Sequence, residues 1–267
     1  MDFPDNIIGI VGGMGPQAGI ALCYSIVCQT AATMDQEHFS IVLLSFPGDI
    51  VDRTAFLEGR SAVNPALNIA GIIRKLEAAG AGVAGIACNT CHSPLIFDVL
   101  LEELKKTNCG VQLLHMPVET CRYIGEDHPY IRRIGVMTTN GTYRSGVYVR
   151  VLEDHDYEIV NADPAFQNEV IHRMVYDPNF GLKSCPKGVT SEVKALMDTA
   201  LNYFRKRGAE AVILGCTEFS LIEMADRVEG LLIVDSTAAL ARALIREASR
   251  YSDRRLLTGL ASVARIV

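Results

Sequence analysis

The stretch "IIGIVGGMGPQA", residues 7–18, decides how the rest of the chain is interpreted. Its apolar start shows no alternation with polar residues, which is typical of a strand buried on both faces of a parallel sheet. A glycine turn follows, and Pro16 suits the first position of a helix. The stretch therefore predicts a strand, a loop and a helix, the opening unit of a parallel α/β fold.

The same unit occurs twice in the sequence. "IGIVGGMGP" at residues 8–16 aligns with "IGVMTTNGT" at residues 134–142, at an offset of 126. "GAGVAGIAC" at residues 80–88 aligns with "GAEAVILGC" at residues 208–216, at an offset of 128. Any two strand–loop–helix units share some likeness, but two matches at almost one offset indicate two copies of one α/β unit.

Short apolar runs and amphipathic stretches alternate along the chain. The predicted strands lie at residues 7–11, 41–46, 83–87, 134–137, 211–214 and 231–234. The clearest predicted helices lie at residues 65–79, 97–106, 191–206 and 238–249, with Asn64 as the N-cap of the first. This pattern predicts an α/β fold of two similar Rossmann-like domains with parallel sheets, and an active site in the cleft between the domains.

The 267 residues leave room for two domains of ordinary size. No Pro- or Ser-rich linker marks a boundary, so we place it near residues 113–117. We expect residues 1–115 plus 231–267 to form the N-terminal α/β domain. Residues 116–230 are then the C-terminal α/β domain.

Composition argues against several classes of partner. The net charge is −6 without a long basic run, and aromatic residues are only 7%, so nucleic acid is not an expected partner. Residues 7–34 carry no charge, but acidic flanks, five glycines and a proline argue against a membrane span. Eight cysteines without an export signal predict free thiols in a cytoplasmic protein.

Four loops follow predicted strands where ligands bind in open parallel sheets, beyond the carboxyl ends of the strands. They read "GGMGP" at residues 12–16, "ACNTCH" at 87–92, "TTNGT" at 138–142 and "GCTE" at 215–218. The first loop, continued to residue 18, also fits the dinucleotide-binding outline G-x-G-x-x-A over residues 13–18, but no acidic residue closes the second strand at the required distance. We interpret it as an anion-binding turn rather than as a nicotinamide or flavin site.

The C-x-x-C-H pattern at residues 88–92 permits several interpretations. Covalent haem attachment would require an export route, and a zinc site would require further ligands at suitable spacing, which the sequence lacks. A thioredoxin-like Cys88/Cys91 redox pair would leave Cys216 without a role. A pair formed by Cys88 and Cys216 across a cleft could instead hold one thiolate and one thiol, as two-sided proton transfer requires. Both cysteines could also be buried and inert.

The motifs "GGMGP", "DRT" at residues 52–54, "ACNT" at 87–90 and "GCTE" at 215–218 resemble the aspartate/glutamate racemase family, in the expected order. The resemblance implies amino-acid racemisation without a cofactor or metal, by two cysteines across an interdomain cleft. Cys88 and Cys216 fall on the two catalytic positions. The residues implied for substrate binding are Arg53 and Lys183 for a side-chain carboxylate, and Met14, Gly15, Asn89, Thr90, Thr139 and Thr217 for the remaining groups.

The resemblance favours the aspartate branch, because glutamate racemases carry an Asp-Ser pair where this chain has "GGMGP". The expected substrate is an acidic amino acid, and a homodimer is the expected assembly. A hydantoin racemase, a maleate isomerase and a non-catalytic anion-binding protein remain alternatives. Cys91, His92 and the tail at residues 251–267 receive no catalytic role, and replacing Cys91 is expected to matter little.

Overall fold

The computed structural model describes residues 7–185 and 187–263, with side chains described as far as residue 250. Its strands are β1 (Ile7–Gly12), β2 (Ile41–Ser45), β3 (Ala81–Ile86), β4 (Gln112–Leu113), β5 (Arg133–Met137), β6 (Glu158–Val160), β7 (Ala211–Leu214), β8 (Arg227–Val228) and β9 (Leu231–Asp235). Its α-helices are α1 (Pro16–Gln29), α2 (Arg53–Leu57), α3 (Ala66–Ala78), α4 (Pro94–Lys106), α5 (Met116–Asp127), α6 (Asn140–Ser145), α7 (Val147–Glu153), α8 (Pro164–Phe166), α9 (Arg173–Tyr176), α10 (Ser191–Lys206) and α11 (Ser236–Val263).

The strands form two sheets with the same internal order. The first sheet runs β2-β1-β3-β4 and is parallel throughout. The second runs β6-β5-β7-β9-β8, and only β8 is antiparallel to its neighbour. β1 lies between β2 and β3, and β5 lies in the same way between β6 and β7. In this arrangement β1 corresponds to β5, and β3 corresponds to β7. The prediction of two similar parallel-sheet α/β domains is confirmed.

Both faces of each sheet are covered, as the apolar strands predicted. All six residues of β1 and all four residues of β7 are buried. One face of the first sheet packs on α3 and α4, and the other packs on α1 and α11. The second sheet lies between α10 on one face and α5 with α7 on the other. Burial on both faces explains why these strands show no polar alternation.

The start of α3 illustrates how local sequence chemistry sets an element boundary. Pro65 precedes the helix, and the Asn64 side-chain oxygen accepts a hydrogen bond from the Ala66 backbone N–H at 2.9 Å. That bond satisfies one of the N–H groups left open at a helix N-terminus. Asn64 thus supplies a capping hydrogen bond as predicted, although the N-cap position itself falls on Pro65, one residue later than predicted.

The assignment of residues 231–267 to the N-terminal domain was wrong for the strand. β9 pairs with β7 in the second sheet, with Leu232 opposite Ala211. Only α11 crosses back, where Leu240 and Leu244 join the cluster that covers the first sheet. An apolar strand fits beside either sheet, and here a short turn also joins β9 to β8, the antiparallel strand at the edge of the second sheet. Residues 1–6, 264–267 and the side chains of 251–263 lie outside the described residues.

The uncharged run at residues 7–34 contains β1, a loop and α1, so its apolar character belongs to a strand and a helix face. Across the described part of the chain, no helix combines the length and the apolar character that crossing a membrane would need.

Candidate active site

The four loops singled out in the sequence meet at one place. The loops follow β1 and β3 in the first sheet and β5 and β7 in the second. In each pair, the chain leaves the two neighbouring strands toward opposite edges of the sheet, and open α/β sheets bind ligands at that position. Contacts between the domains bring the two sets of loops together. Thr217 Oγ1 lies 3.5 Å from the Ala87 carbonyl oxygen, and the Gly15 backbone N–H lies 3.4 Å from a Glu218 oxygen. The loops therefore line one interdomain cleft.

Cys88 and Cys216 occupy equivalent positions in the two halves. Each follows a buried strand and precedes a short 3-10 helix, Asn89–His92 after Cys88 and Thr217–Leu221 after Cys216. Their side chains are 5% and 6% exposed, and neither forms a disulfide. The Thr217–Ala87 contact joins the residues next to the two cysteines, so both thiols lie at the same interdomain contact.

The surroundings of Cys88 favour the thiolate. Its pKa is lowered to about 6, chiefly by a hydrogen bond from Cys91, with the charge of Arg53 adding to the effect and burial opposing it. In the structure the Cys91 S–H donates to Met14 Sδ at 3.2 Å, and the same proton can turn to Cys88 when Cys88 is ionised, because a thiolate is the stronger acceptor. Cys91 is therefore placed to stabilise the charge of its neighbour, a possibility that the sequence did not indicate.

The surroundings of Cys216 favour the thiol. Burial raises the pKa of Cys216 well above its ordinary value, and the negative charge of Glu218 raises it further. The Cys216 S–H donates to Glu218 Oε2 at 3.0 Å. The surroundings of the two cysteines therefore favour opposite protonation states in one cleft.

Glu218 is the functional residue that the sequence missed, although it stands in the quoted "GCTE". It is 5% exposed, and burial alone would raise its pKa, yet the neighbouring Lys183 charge keeps the pKa below its ordinary value. Besides Cys216, its carboxylate accepts from Lys183 Nζ at 2.6 Å, Gly15 N at 3.4 Å and Thr217 Oγ1 at 3.4 Å. Four donors from both domains thus converge on one buried anion.

Arg53 begins α2 and is 7% exposed. Its Nη2 donates to the Met14 carbonyl oxygen at 3.0 Å and its Nη1 donates to that of Val51 at 3.3 Å, while Nε has no partner. Burial would lower the pKa of Arg53, but the negative charges of the Asp52 carboxylate and of the neighbouring cysteines when ionised raise it, so the guanidinium stays charged. Within the described residues, no carboxylate forms an ion pair with this guanidinium. A buried cation with an open N–H is suited to hold an anionic group.

Lys183, the companion cation suggested by the resemblance, is already paired. Its Nζ lies 2.6 Å from Glu218 Oε1, and it lies 5.5 Å from the centre of the Tyr176 ring. Burial would lower the pKa of Lys183, but the charge and hydrogen bond of Glu218, together with smaller contributions from Tyr176 and Cys216, raise it. In this closed structure its charge is balanced by the protein.

Three threonine hydroxyls cluster across the domain boundary. Thr90 Oγ1 lies 2.8 Å from Thr142 Oγ1 and 3.4 Å from Thr139 Oγ1, which is itself 3.4 Å from Thr142. The backbone between them approaches closely, since a Cβ on Gly141 would come within 2.6 Å of Thr54 Oγ1. The structure thus brings Thr90 and Thr139 together, as a shared substrate-binding role requires.

Asn89 is oriented away from such a role. Tyr148 OH donates to its side-chain oxygen at 2.6 Å, and its side-chain nitrogen donates to Ser236 Oγ at 3.0 Å. Ser236 Oγ in turn donates to the Leu214 carbonyl oxygen at 2.7 Å. The side-chain amide therefore links the first domain to α7 and to the end of β7, which leaves the Asn89 backbone as the part available to a ligand.

His92 completes the C-x-x-C-H pattern without a metal-like environment. Its Nδ1 lies 3.0 Å from the Cys88 carbonyl oxygen, and its ring packs against Phe97 and His115 at centroid distances of 5.1 and 4.8 Å. Burial lowers the pKa of His92 to about 3, so it is neutral. Among the residues that the structure describes, no group of three or more His, Cys, Asp or Glu side chains has a metal-binding arrangement.

Comparisons with known proteins agree with this geometry. A family model described as Asp/Glu/Hydantoin racemase matches residues 11–244. The broad specificity amino-acid racemase RacX of Bacillus subtilis (strain 168) is 26% identical over 257 residues, covering 92% of this chain and 100% of that protein. The aspartate racemase of Picrophilus torridus is 27% identical with a TM-score of 0.72, covering 91% of this chain and 94% of the other. Glutamate racemase isoform RacE1 from Bacillus anthracis shares the fold, with a TM-score of 0.62 at 18% identity, covering 92% and 82%. The resemblance drawn from the four motifs is confirmed.

Proposed function

The chain belongs to the Asp/Glu/hydantoin racemase family, a family of isomerases, and on that premise we propose that it interconverts L- and D-aspartate or glutamate without a cofactor. Cys88 and Cys216 act as the two acid/base groups. The observation that carries this proposal is their placement at equivalent strand ends on one interdomain contact, in surroundings that lower the pKa of Cys88 and raise that of Cys216. A thiolate and a thiol on two sides of a carbon are what inversion of a Cα–H bond needs.

In one direction, the Cys88 thiolate takes the α-proton, so that the Cα–H bond breaks and a Cys88 S–H bond forms. The electron pair passes into the α-carboxylate as an enolate-like charge. Cys216 then gives its proton to the opposite face of the carbon. The enzyme is left with a Cys88 thiol and a Cys216 thiolate, and this form catalyses the reverse direction.

The surroundings supply groups suited to the developing charge. The hydroxyls of Thr90, Thr139 and Thr217 lie at the interdomain contact beside the cysteines, together with the backbone of Met14 and Gly15. Arg53 is suited to a substrate carboxylate, because its buried guanidinium keeps an N–H without a partner. Hydrogen bonds to charged groups contribute about 1.5–3 kcal/mol each, enough to select for a carboxylate.

Substrate entry requires the cleft to open. Both cysteines are at most 6% exposed, and the Thr90–Thr142 and Tyr148–Asn89 hydrogen bonds close the domains on each other. We propose that a substrate replaces these contacts when it binds between the domains, with the domain of the second sheet, β9 included, moving relative to the first domain.

A second candidate function is racemisation of amino acids with a single carboxylate. The observation that favours it is the Lys183–Glu218 ion pair. Among the described residues of the cleft, Arg53 is then the cation without a carboxylate partner. Arg53 would then hold the only carboxylate of the substrate. The relative RacX bears a name that states broad specificity.

Exchange of the α-hydrogen in D₂O tests the proposal. Each enantiomer of aspartate, glutamate and a set of neutral amino acids is incubated with the protein without pyridoxal phosphate, and loss of the α-proton signal is followed by NMR. Acidic amino acids should exchange fastest. Fastest exchange of neutral ones supports the second candidate, and turnover of hydantoins or maleate alone supports those branches. If none of these compounds exchanges its α-hydrogen, the racemase proposal is refuted.

The Cys88→Ser and Cys216→Ser variants test the mechanism. Each should lose at least about 1,000-fold in exchange, because a serine hydroxyl is far less acidic than a thiol. Cys121→Ser is the matched control, since Cys121 is equally buried but lies on α5 outside the cleft. Full activity in either cleft variant would rule out the two-cysteine mechanism.

The assembly and location remain predictions from the sequence. We propose a homodimer in the cytoplasm, and light scattering coupled to size-exclusion chromatography tests the assembly. A mass of one chain, 29.1 kDa, at working concentration would contradict the dimer.

A further inference from the structure

The proposed mechanism needs Cys216 to begin as a thiol in a cleft that also holds two cations. Lys183 lies close enough to Cys216 for its charge to favour the thiolate. Something in the cleft must offset that charge, and Glu218 is the anion placed to do so.

We propose that Glu218 is a positioning residue that holds the Cys216 S–H and neutralises Lys183, so that Cys216 enters the reaction as the proton donor and Cys88 as the base. The inference rests on the proposed function for its role in catalysis. Its physical content, the protonation state of Cys216, is measurable without any substrate.

The two oxygens of the carboxylate have different tasks. Oε1 accepts from Lys183 Nζ at 2.6 Å and from the Gly15 N–H at 3.4 Å. Oε2 accepts from Cys216 Sγ at 3.0 Å and from Thr217 Oγ1 at 3.4 Å. The ion pair on one oxygen keeps the group charged and fixes its rotation, which leaves the other oxygen facing the thiol. A charged acceptor binds the S–H more strongly than a neutral acceptor would.

The internal repeat supports this assignment independently. At the offset of 128, "ACNT" aligns with "GCTE", so Thr90 is the counterpart of Glu218. The two cysteine loops therefore differ in charge at the position two residues after each cysteine. On the Cys88 side that position holds a neutral hydroxyl, which bonds to Thr142, and the nearby Arg53 charge is not paired with a carboxylate in the described residues. The duplicated fold thus becomes asymmetric where an acid and a base must differ.

The protein is treated with iodoacetamide, and peptide mass spectrometry measures the extent of alkylation at each cysteine separately. The rate at Cys88 and at Cys216 is measured between about pH 5 and about pH 10, because only the thiolate reacts. In the unaltered protein, Cys216 should begin to react at a pH well above that at which Cys88 reacts. Comparable profiles for the two cysteines would overturn the proposal before any variant is made.

Glu218→Gln removes the charge with little change in shape. The unpaired Lys183 should then lower the pH at which Cys216 reacts by about one unit or more, which is roughly a tenfold faster alkylation near neutral pH. Glu218→Asp keeps the charge and should retain most of the original profile. Glu119→Gln is the matched control, because Glu119 is a buried carboxylate ion-paired with Arg246 away from both cysteines.

The α-hydrogen exchange rate supplies a second readout. Its basic limb reports loss of the Cys216 proton, so Glu218→Gln should move that limb to lower pH while Glu119→Gln leaves it in place. A Cys216 alkylation profile unchanged in Glu218→Gln overturns the proposal. Absence of exchange with every amino acid would instead refute the racemase function, and the alkylation result would still decide the role of Glu218.

Discussion

Replacing Cys91 with alanine removes the main group that stabilises the Cys88 thiolate. Cys91 is fully buried, and its hydrogen bond is the largest contribution to lowering the pKa of Cys88 from an ordinary 9.0 to about 6. This contradicts the expectation from the sequence that Cys91 is dispensable. The alanine variant keeps Arg53, the next favourable contribution, so only part of the lowering should be lost.

The magnitude follows from the size of that lowering. Three pKa units correspond to about 4 kcal/mol of preference for the thiolate, and a hydrogen bond to a charged group contributes about 1.5–3 kcal/mol of such a total. Losing it should raise the pKa of Cys88 by about one to two units. The thiolate fraction at pH 7 then falls from about nine tenths to roughly a quarter. The rate at pH 7 should drop by about fourfold, and the rate near pH 9 should change little.

The pH dependence of α-hydrogen exchange is the assay. Its acid limb reports protonation of the Cys88 thiolate and should move to higher pH in Cys91→Ala. Cys121→Ala controls for the loss of a buried sulfur, since Cys121 is buried to the same extent on α5. An acid limb that stays in place while the fold is intact would refute the assigned hydrogen bond. A uniform loss at all pH values would indicate a packing defect instead.

Two further perturbations probe the cation and the buried histidine. Arg53→Lys keeps the charge but loses the planar fork, so KM for the preferred substrate should rise by about 10- to 100-fold; an unchanged KM in steady-state assays would remove Arg53 from substrate binding. Burial lowers the pKa of His92 from 6.5 to about 3, so the unfolded chain binds a proton between these values that the folded chain does not, and stability falls with acid. His92→Gln should therefore abolish about 2 kcal/mol of the difference in unfolding free energy between pH 7 and pH 5, measured by chemical denaturation, with His155→Gln at an exposed position as the control for replacing a histidine.

Local patterns predicted the elements that position the site. The ranges predicted for α10 and β7 agree with the structure, because each is strongly periodic or uniformly apolar and because Thr190 caps α10 by accepting from the Val193 N–H at 3.3 Å. The internal repeat predicted the equivalent loops after β3 and β7. Sheet membership is not a local property, and the apolar strand β9 carried no signal that it belongs to the second sheet.

The roles of individual site residues depend on partners far away in sequence. Glu218 was visible in the motif, but its significance comes from Lys183, which lies 35 residues earlier in the chain. The Asn89 side chain could hydrogen-bond a ligand. Instead it is bonded to Tyr148, 59 residues away, and to Ser236, 147 residues away. A sequence motif names the side chains of a site, and tertiary contacts decide which of them remain open to a ligand.

The two halves of the cleft solve the same electrostatic problem in different ways. Each cysteine lies near a cation, since Arg53 lowers the pKa of Cys88 and Lys183 lowers that of Cys216. Arg53 has no carboxylate partner in the described residues and leaves the Cys88 thiolate stabilised, whereas Lys183 is neutralised by Glu218, which also accepts the Cys216 proton. A duplicated scaffold would otherwise supply two equal thiols, and two equal thiols cannot define one resting base and one resting acid. On the proposed function, the charge difference between Thr90 and Glu218 adds to burial of Cys216 and to the Cys91 contribution at Cys88 in setting which thiol rests as the acid and which as the base.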